Sequence, residues 1–160
     1  MIALLLAAGG AWDDVLEHAT RRYTRYDGWA TVLDLRATWL SAEVRAACDA
    51  HRASIVGLPS PCVEGDDATV VVAAASDRRR DLAVGVTADS SVVLALTVGG
   101  RPCEKGTVTR IEHPSPLDRS TWTQLTTWDG LWIARFPGCT AGTGAELSIR
   151  GPLGGGSVAW

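Results

Sequence analysis

Cys48, Asp49 and His51 stand within four residues of one another, and a thiolate beside an imidazole is the smallest set that supports cysteine-based nucleophilic catalysis. On a helix, Cys48 and His51 share a face. A helical cysteine and histidine on an apolar face also suit a disulfide and a hydrogen-bonded core histidine, and that is the expectation here. A thiol-dependent enzyme centred on Cys48 stands as an alternative. Adding Cys62 sketches a zinc site, but a closed site needs four ligands, and neither Cys-x2-Cys nor His-x3-His spacing occurs. No metal and no cofactor are therefore expected. Glu64, Asp66 and Asp67 cluster in one stretch where carboxylates could hold calcium, and a solvated acidic turn explains them equally well. His18 and His113 are isolated from each other, and the triple glycine Gly154-Gly155-Gly156 lacks the Lys and Ser/Thr of a phosphate loop, so it is read as a turn.

The seven tryptophans form the other chemical set. Exposed indoles on a β-sandwich stack against sugar rings, whereas buried ones fill the core. Trp39 shares the apolar side of its segment and is expected in the core. Trp122 and Trp128 have an even spacing that would put both on one side of a strand, with Trp132 across a turn, so Trp122, Trp128 and Trp132 are the candidate platform. Core packing is the competing expectation for all three.

The chain has 160 residues, enough for one domain with a hydrophobic core. Fifteen Lys and Arg against eighteen Asp and Glu leave a net charge of −3, with no basic excess to offset a phosphate backbone. Arg78-Arg79-Arg80, fenced by Asp77 and Asp81, reads as a solvated turn. Nucleic acid is thus not an expected partner. Residues 1–11 carry no charged side chain and end in Gly9-Gly10-Ala11, which fits a signal peptide cleaved after Ala11, with a buried first strand or helix as the alternative, and that apolar run is far below the ~20 residues needed to span a bilayer. The mature chain is expected to have no transmembrane span. Cys48, Cys62, Cys103 and Cys139 all lie beyond this leader. Two disulfides would suit an oxidising compartment, with free buried thiols as the alternative. Three connectivities are possible. A chain reversing at Gly57-Leu58-Pro59 and running back about 13 Å along a helix ranks Cys48–Cys62 with Cys103–Cys139 first.

Apolar residues at steps of three and four predict a helix from Trp12 to Tyr26. Alternation of Leu33, Leu35, Ala37 and Trp39 with Asp34, Arg36 and Thr38 predicts a half-buried strand. Ser41 as N-cap, Glu43 in the first turn and Gly57 with Pro59 as a stop predict a second helix over Ala42–Val56. Residues 60–67 read as a loop, and strands are then predicted at 69–75, 92–98, 107–112, 121–128, 131–136, 145–150 and 157–160. His113-Pro114-Ser115-Pro116 reads as an extended loop, and Asp129-Gly130 as a tight hairpin turn between the strands beside it.

Four phrases carry a resemblance: Leu35-Arg36-Ala37-Thr38-Trp39-Leu40, Val70-Val71-Val72-Ala73, the run Trp128-Asp129-Gly130-Leu131-Trp132 continuing to Pro137, and Gly151-Pro152-Leu153-Gly154. The chain resembles a group of uncharacterised exported bacterial proteins that join a helical N-terminal part to an Ig-like sandwich. The resemblance implies a fold and an envelope address, and it implies no catalytic residues.

The expected fold is mainly β with N-terminal helices (α+β), an antiparallel Ig-like β-sandwich. Its organisation is expected as a signal peptide at 1–11 and a single domain at 12–160, divided into a helical N-terminal part with one strand (12–58) and the β-sandwich (68–160). The expected role is that of a periplasmic or extracellular protein, not an enzyme, that binds or supports a cell-envelope protein or glycan. A carbohydrate-binding module using exposed tryptophans is the alternative.

Overall fold

The computed structural model describes residues 8–77, 82–126, 129–140, 142, 144–151 and 154–160. Its central element is the strand β3 (Ala68–Ala75), an uncharged run of Ala, Thr and Val buried along nearly its whole length. Successive strand residues point to opposite faces, so a run that is apolar at every position must be covered on both. On one face Val70, Val72 and Ala74 join Leu33, Leu35, Trp132, Phe136, Leu94, Leu96, Leu147 and Ile149 in one cluster. On the other, Val71 packs with Trp12, Leu16, Leu40, Cys48, Trp122, Leu131 and Ile133.

The rest of the chain supplies these two covers. Helix α1 (Ala8–Ala19), strands β1 (Thr20–Asp27) and β2 (Ala30–Trp39), and helix α2 (Ala42–Val56) precede β3. After it come β4 (Val84–Gly85), β5 (Val92–Val98), β6 (Arg101–Pro102), β7 (Thr107–Ile111), α3 (Pro116–Thr121), β8 (Gly130–Phe136), β9 (Ala145–Gly151) and β10 (Gly154–Ala159). One sheet has the order β1-β2-β3-β8-β7 and the other β10-β9-β5-β4, with β6 paired to β5. The pairing is antiparallel throughout except for β4 with β5. The molecule is therefore mainly antiparallel β, with the second sheet on one face of the first and the helices on the other.

The helices are not all N-terminal, which corrects the expectation. α3 lies late in the chain, between β7 and β8, where the sequence reads as a loop. Ser115 accepts from the Asp118 backbone N–H while Asp118 accepts from that of Ser115, and Pro116 fills the first turn. Six residues are too few for a helical repeat to show in the sequence. α2, by contrast, has its expected bounds. Its first turn is capped by Ser41, whose side chain accepts from the Val44 N–H.

The helix expected over Trp12–Tyr26 ends at Ala19, and the following segment is the strand β1. Its three-residue steps were fortuitous: Tyr23 packs against the inter-sheet cluster, and Tyr26 is exposed. β1 and β2 both belong to the first sheet, so residues 12–58 hold two strands, and the sandwich draws on them as well as on 68–160. The β1–β2 hairpin also reassigns the turns. Asp27 pairs with Ala30 across Gly28-Trp29, and Gly28 takes a φ of 60° while Trp29 does not, the pattern of a turn with glycine at its first central position. Asp129-Gly130 makes no such hairpin. The segment before it has no strand among its described residues, and the Asp129 carboxylate instead accepts from the Thr126 N–H at 2.7 Å and pairs with Arg36.

Gly154-Gly155-Gly156 lie inside β10, not in a turn, because Gly151 pairs with Gly154 and the ladder runs on from there. A side chain at Gly156 would meet the Tyr23 ring at 2.5 Å. Residues 1–7 of the expected signal peptide, the basic run 78–80 and Trp128 fall outside the described residues, and the expected cleavage point after Ala11 falls in the first turn of α1.

If both covers of β3 are true core, truncation on either side is costly. Leu131→Ala on the helix side and Leu147→Ala between the sheets are each expected to destabilise the fold by about 2–5 kcal/mol in urea unfolding. A helix layer that is only loosely applied would make the first value much smaller than the second.

Candidate functional site

Cys48 is fully buried on α2 and bonded to Cys62, with the Cα atoms 5.7 Å apart. Cys103 is bonded to Cys139 at a Cα separation of 5.6 Å. Both pairings are those ranked first from the sequence. With its sulfur in a disulfide Cys48 carries no thiolate, so the Cys-His pair is not assembled as a nucleophile. His51 donates from Nε2 to the Ser120 carbonyl at 3.0 Å, and its ring stacks on Trp12 with centroids 5.6 Å apart. Asp49 accepts from the Cys62 N–H at 2.6 Å. All three residues thus join α2 to its neighbours. The acidic loop is likewise braced, since Arg45 donates to the carbonyls of Gly65 and Asp67. Among the described residues no three His, Cys, Asp or Glu side chains come together as a metal site.

The tryptophan platform needs correction. Trp122 is 1% exposed and Trp132 3%, and they sit on opposite sides of the first sheet, Trp122 under the helices and Trp132 between the sheets. The premise of a shared strand face fails because Trp122 caps α3 and does not lie on a strand. The Trp12 indole N–H donates to the Thr121 carbonyl at 2.7 Å, and the Trp12 and Trp122 rings meet edge to face, which locks α1 to α3.

The freely exposed aromatic surface lies elsewhere. Trp29, at the tip of the β1–β2 hairpin, is as accessible as an isolated residue (103%), and Tyr26 beside it is 62% exposed. The tip is braced, because Asp77 accepts from the Thr31 N–H at 2.9 Å and donates its own N–H to the Thr31 carbonyl at 3.0 Å. Asp27-Gly28, directly after the helix expected to end at Tyr26, is the sequence signal for this turn.

At the opposite end of the same hairpin, about 23 Å away along the strands, two depressions flank α1. One, of about 450 Å³, is lined by Asp14, His18, Arg21, Trp39, Glu43 and Trp160 among others. A neighbouring depression of about 380 Å³ shares Trp39, Ser41, Glu43 and Trp160 with it. Trp160 is fixed there by its indole N–H, which donates to the Ala19 carbonyl at 2.6 Å. The depression on the other flank, about 490 Å³, is lined by Asp13, Glu17, Thr20, Arg22, Arg36 and Gln124. Several of its groups are bonded to one another, while the buried Gln124 Oε1 has no partner. The Gln124 amide donates to the Thr38 hydroxyl, which contacts the Thr20 hydroxyl, which in turn donates to the Leu16 carbonyl. Arg36 donates to the Gln124 carbonyl and pairs with Asp34 and Asp129.

Burial of Asp34 disfavours its charged form, but two hydrogen bonds from Arg22, each 2.8 Å, and the charges of Arg22 and Arg36 outweigh that and hold its pKa below the usual value. Asp118 is lowered in the same way, its burial outweighed by the Ser115 hydrogen bonds and by Arg52. No family model, no curated protein and no solved structure matches the chain.

Two measurements follow from this chemistry. A thiol assay on the unfolded, non-reduced protein is expected to find all four cysteines blocked. Carboxylates with lowered folded-state pKa values bind fewer protons than in the unfolded chain, so their stabilisation is complete above the unfolded value of about 4 and is lost as pH falls through the folded values. Asp34→Asn is accordingly expected to flatten the decline of melting temperature below about pH 4.

Proposed function

We propose that this is a non-catalytic binding protein of the periplasm or cell exterior, and that its contact with an envelope glycan is made by the aromatic tip of the β1–β2 hairpin. The observation that carries this reading is the exposure of Trp29. A tryptophan free of all packing contributes nothing to the core and presents both indole faces to solvent, as stacking on the apolar face of a sugar requires. Tyr26 widens the platform, and the Asp77 brace gives it a defined position. These two residues take the part that the sequence assigned to Trp122, Trp128 and Trp132.

The compartment is inferred from chemistry. Two disulfides suit an oxidising environment, and no helix among the described residues is long and apolar enough to cross a membrane. The Ig-like type of the sandwich and the kinship with exported bacterial proteins belong to the same reading, supported by two packed, mainly antiparallel sheets.

Affinity electrophoresis through gels containing envelope polysaccharides tests the proposal. Wild-type protein is expected to be retarded by at least one of them, and Trp29→Ala to bind about tenfold more weakly or worse. Its melting temperature should not change, because an exposed side chain adds less than about 0.5 kcal/mol to stability. Equal retardation of the variant, or none with any polysaccharide, would remove the hairpin tip as a glycan contact.

A further inference from the structure

We infer that the depression between α1, the start of α2 and Trp160 is a second binding site, shaped for a small organic cation with an apolar body, of the quaternary ammonium kind. It is independent of the hairpin tip, which lies at the far end of the strands. Its volume of about 450 Å³ falls in the range of small-ligand pockets, about 300–1,000 Å³.

The floor is aromatic. Trp160 supplies the accessible face, and the Trp39 ring, only 4% exposed in the inter-sheet core, lies 6.4 Å from it at a tilt of 36°. Trp160 is half-buried, its indole N–H donates to the Ala19 carbonyl, and its backbone N–H donates to the Ala145 carbonyl. With its polar edge spent, what it presents to the depression is ring. An indole face is electron-rich and attracts a cation, and more strongly where water is excluded.

The charges around the floor have the matching sign. Asp14 and Glu43 are both exposed, and neither side chain enters an ion pair or hydrogen bond among the described residues. The one guanidinium in the lining, that of Arg21, is held by three carbonyls: those of His18, Thr20 and Ala159. Two carboxylates against one committed guanidinium leave the site negative.

Two neutral groups of the lining are partly engaged. Ser41 accepts from the Val44 N–H, and His18 Nδ1 donates to the Asp14 carbonyl. A tetraalkylammonium group asks for no hydrogen-bond partner, needing only aromatic faces and compensating charge. A second depression of about 380 Å³ adjoins the same Trp39, Glu43 and Trp160.

Choline and 3,3-dimethyl-1-butanol have nearly the same shape and differ in charge, so calorimetric titration of the full chain with each isolates the cation. Choline is expected to bind at least about tenfold more tightly than the neutral alcohol. Glu43→Gln should weaken choline and leave the alcohol unchanged. Glu43 is exposed, so this variant should keep its fold, which near-ultraviolet circular dichroism checks. Trp160→Phe should weaken both, and Trp29→Ala neither. Equal affinity for the two ligands, choline binding insensitive to Glu43→Gln, or no choline binding at millimolar concentration would each overturn the inference. None of these results bears on glycan binding by Trp29.

Discussion

Every layer of this molecule answers to the requirement that β3 be covered on both faces. An uncharged strand with side chains of similar size on its two sides cannot lie at a water-facing surface. The second sheet meets Val70, Val72 and Ala74, and the helices, with the α3 corner, meet Val71. The neighbours β2 and β8 are less symmetric. In β2 the residues facing the sandwich are apolar, and those facing the helices include Asp34, Arg36 and Thr38. The helix layer is therefore oily over β3 and β8 and polar over β1 and β2, and α1 lies where the two regimes meet.

That boundary explains the linkages that hold the outer layer. Over the apolar part the Cys48–Cys62 bond, the Asp49 cap on the Cys62 N–H and the Trp12–His51 stack bind α2 to its surroundings. Over the polar part the ion-paired row Arg22-Asp34-Arg36-Asp129 fixes the loop that carries Gln124. Arg22 is 60% exposed, so its pairing orients more than it stabilises. Asp129 is only 5% exposed and cannot be replaced without leaving Arg36 short of a partner.

The two proposed contacts occupy the two ends of one rigid hairpin. Thr20 pairs with Thr38 at the end that meets Trp160, and Asp27 pairs with Ala30 at the end that carries Trp29. Between them the ladder is continuous apart from a register shift at Arg25/Tyr26, and Tyr26 is exposed near the Trp29 end. A hydrogen-bonded ladder of this kind holds both surfaces in fixed relation.

Local patterns in the chain determined the bounds of α2, the strands β2, β3, β5 and β9, and the Cys48–Cys62 bond, because each depends on neighbours within a few residues or on one short reversal; Cys103–Cys139 followed as the remaining pair. Cap, alternation and stop signals all agree there. The site was far less legible. Whether Trp122 stacks a ligand or fills a core depends on α3 being short and on Trp12 arriving from more than a hundred residues away. The pairing of Asp129 with Arg36, which takes it out of a hairpin, is equally remote in sequence. Asp27-Gly28 and Asp129-Gly130 look alike as dipeptides. Only the packed structure assigned a turn to one and an ion pair to the other, since exposure and partnership are properties of chain segments that meet after folding.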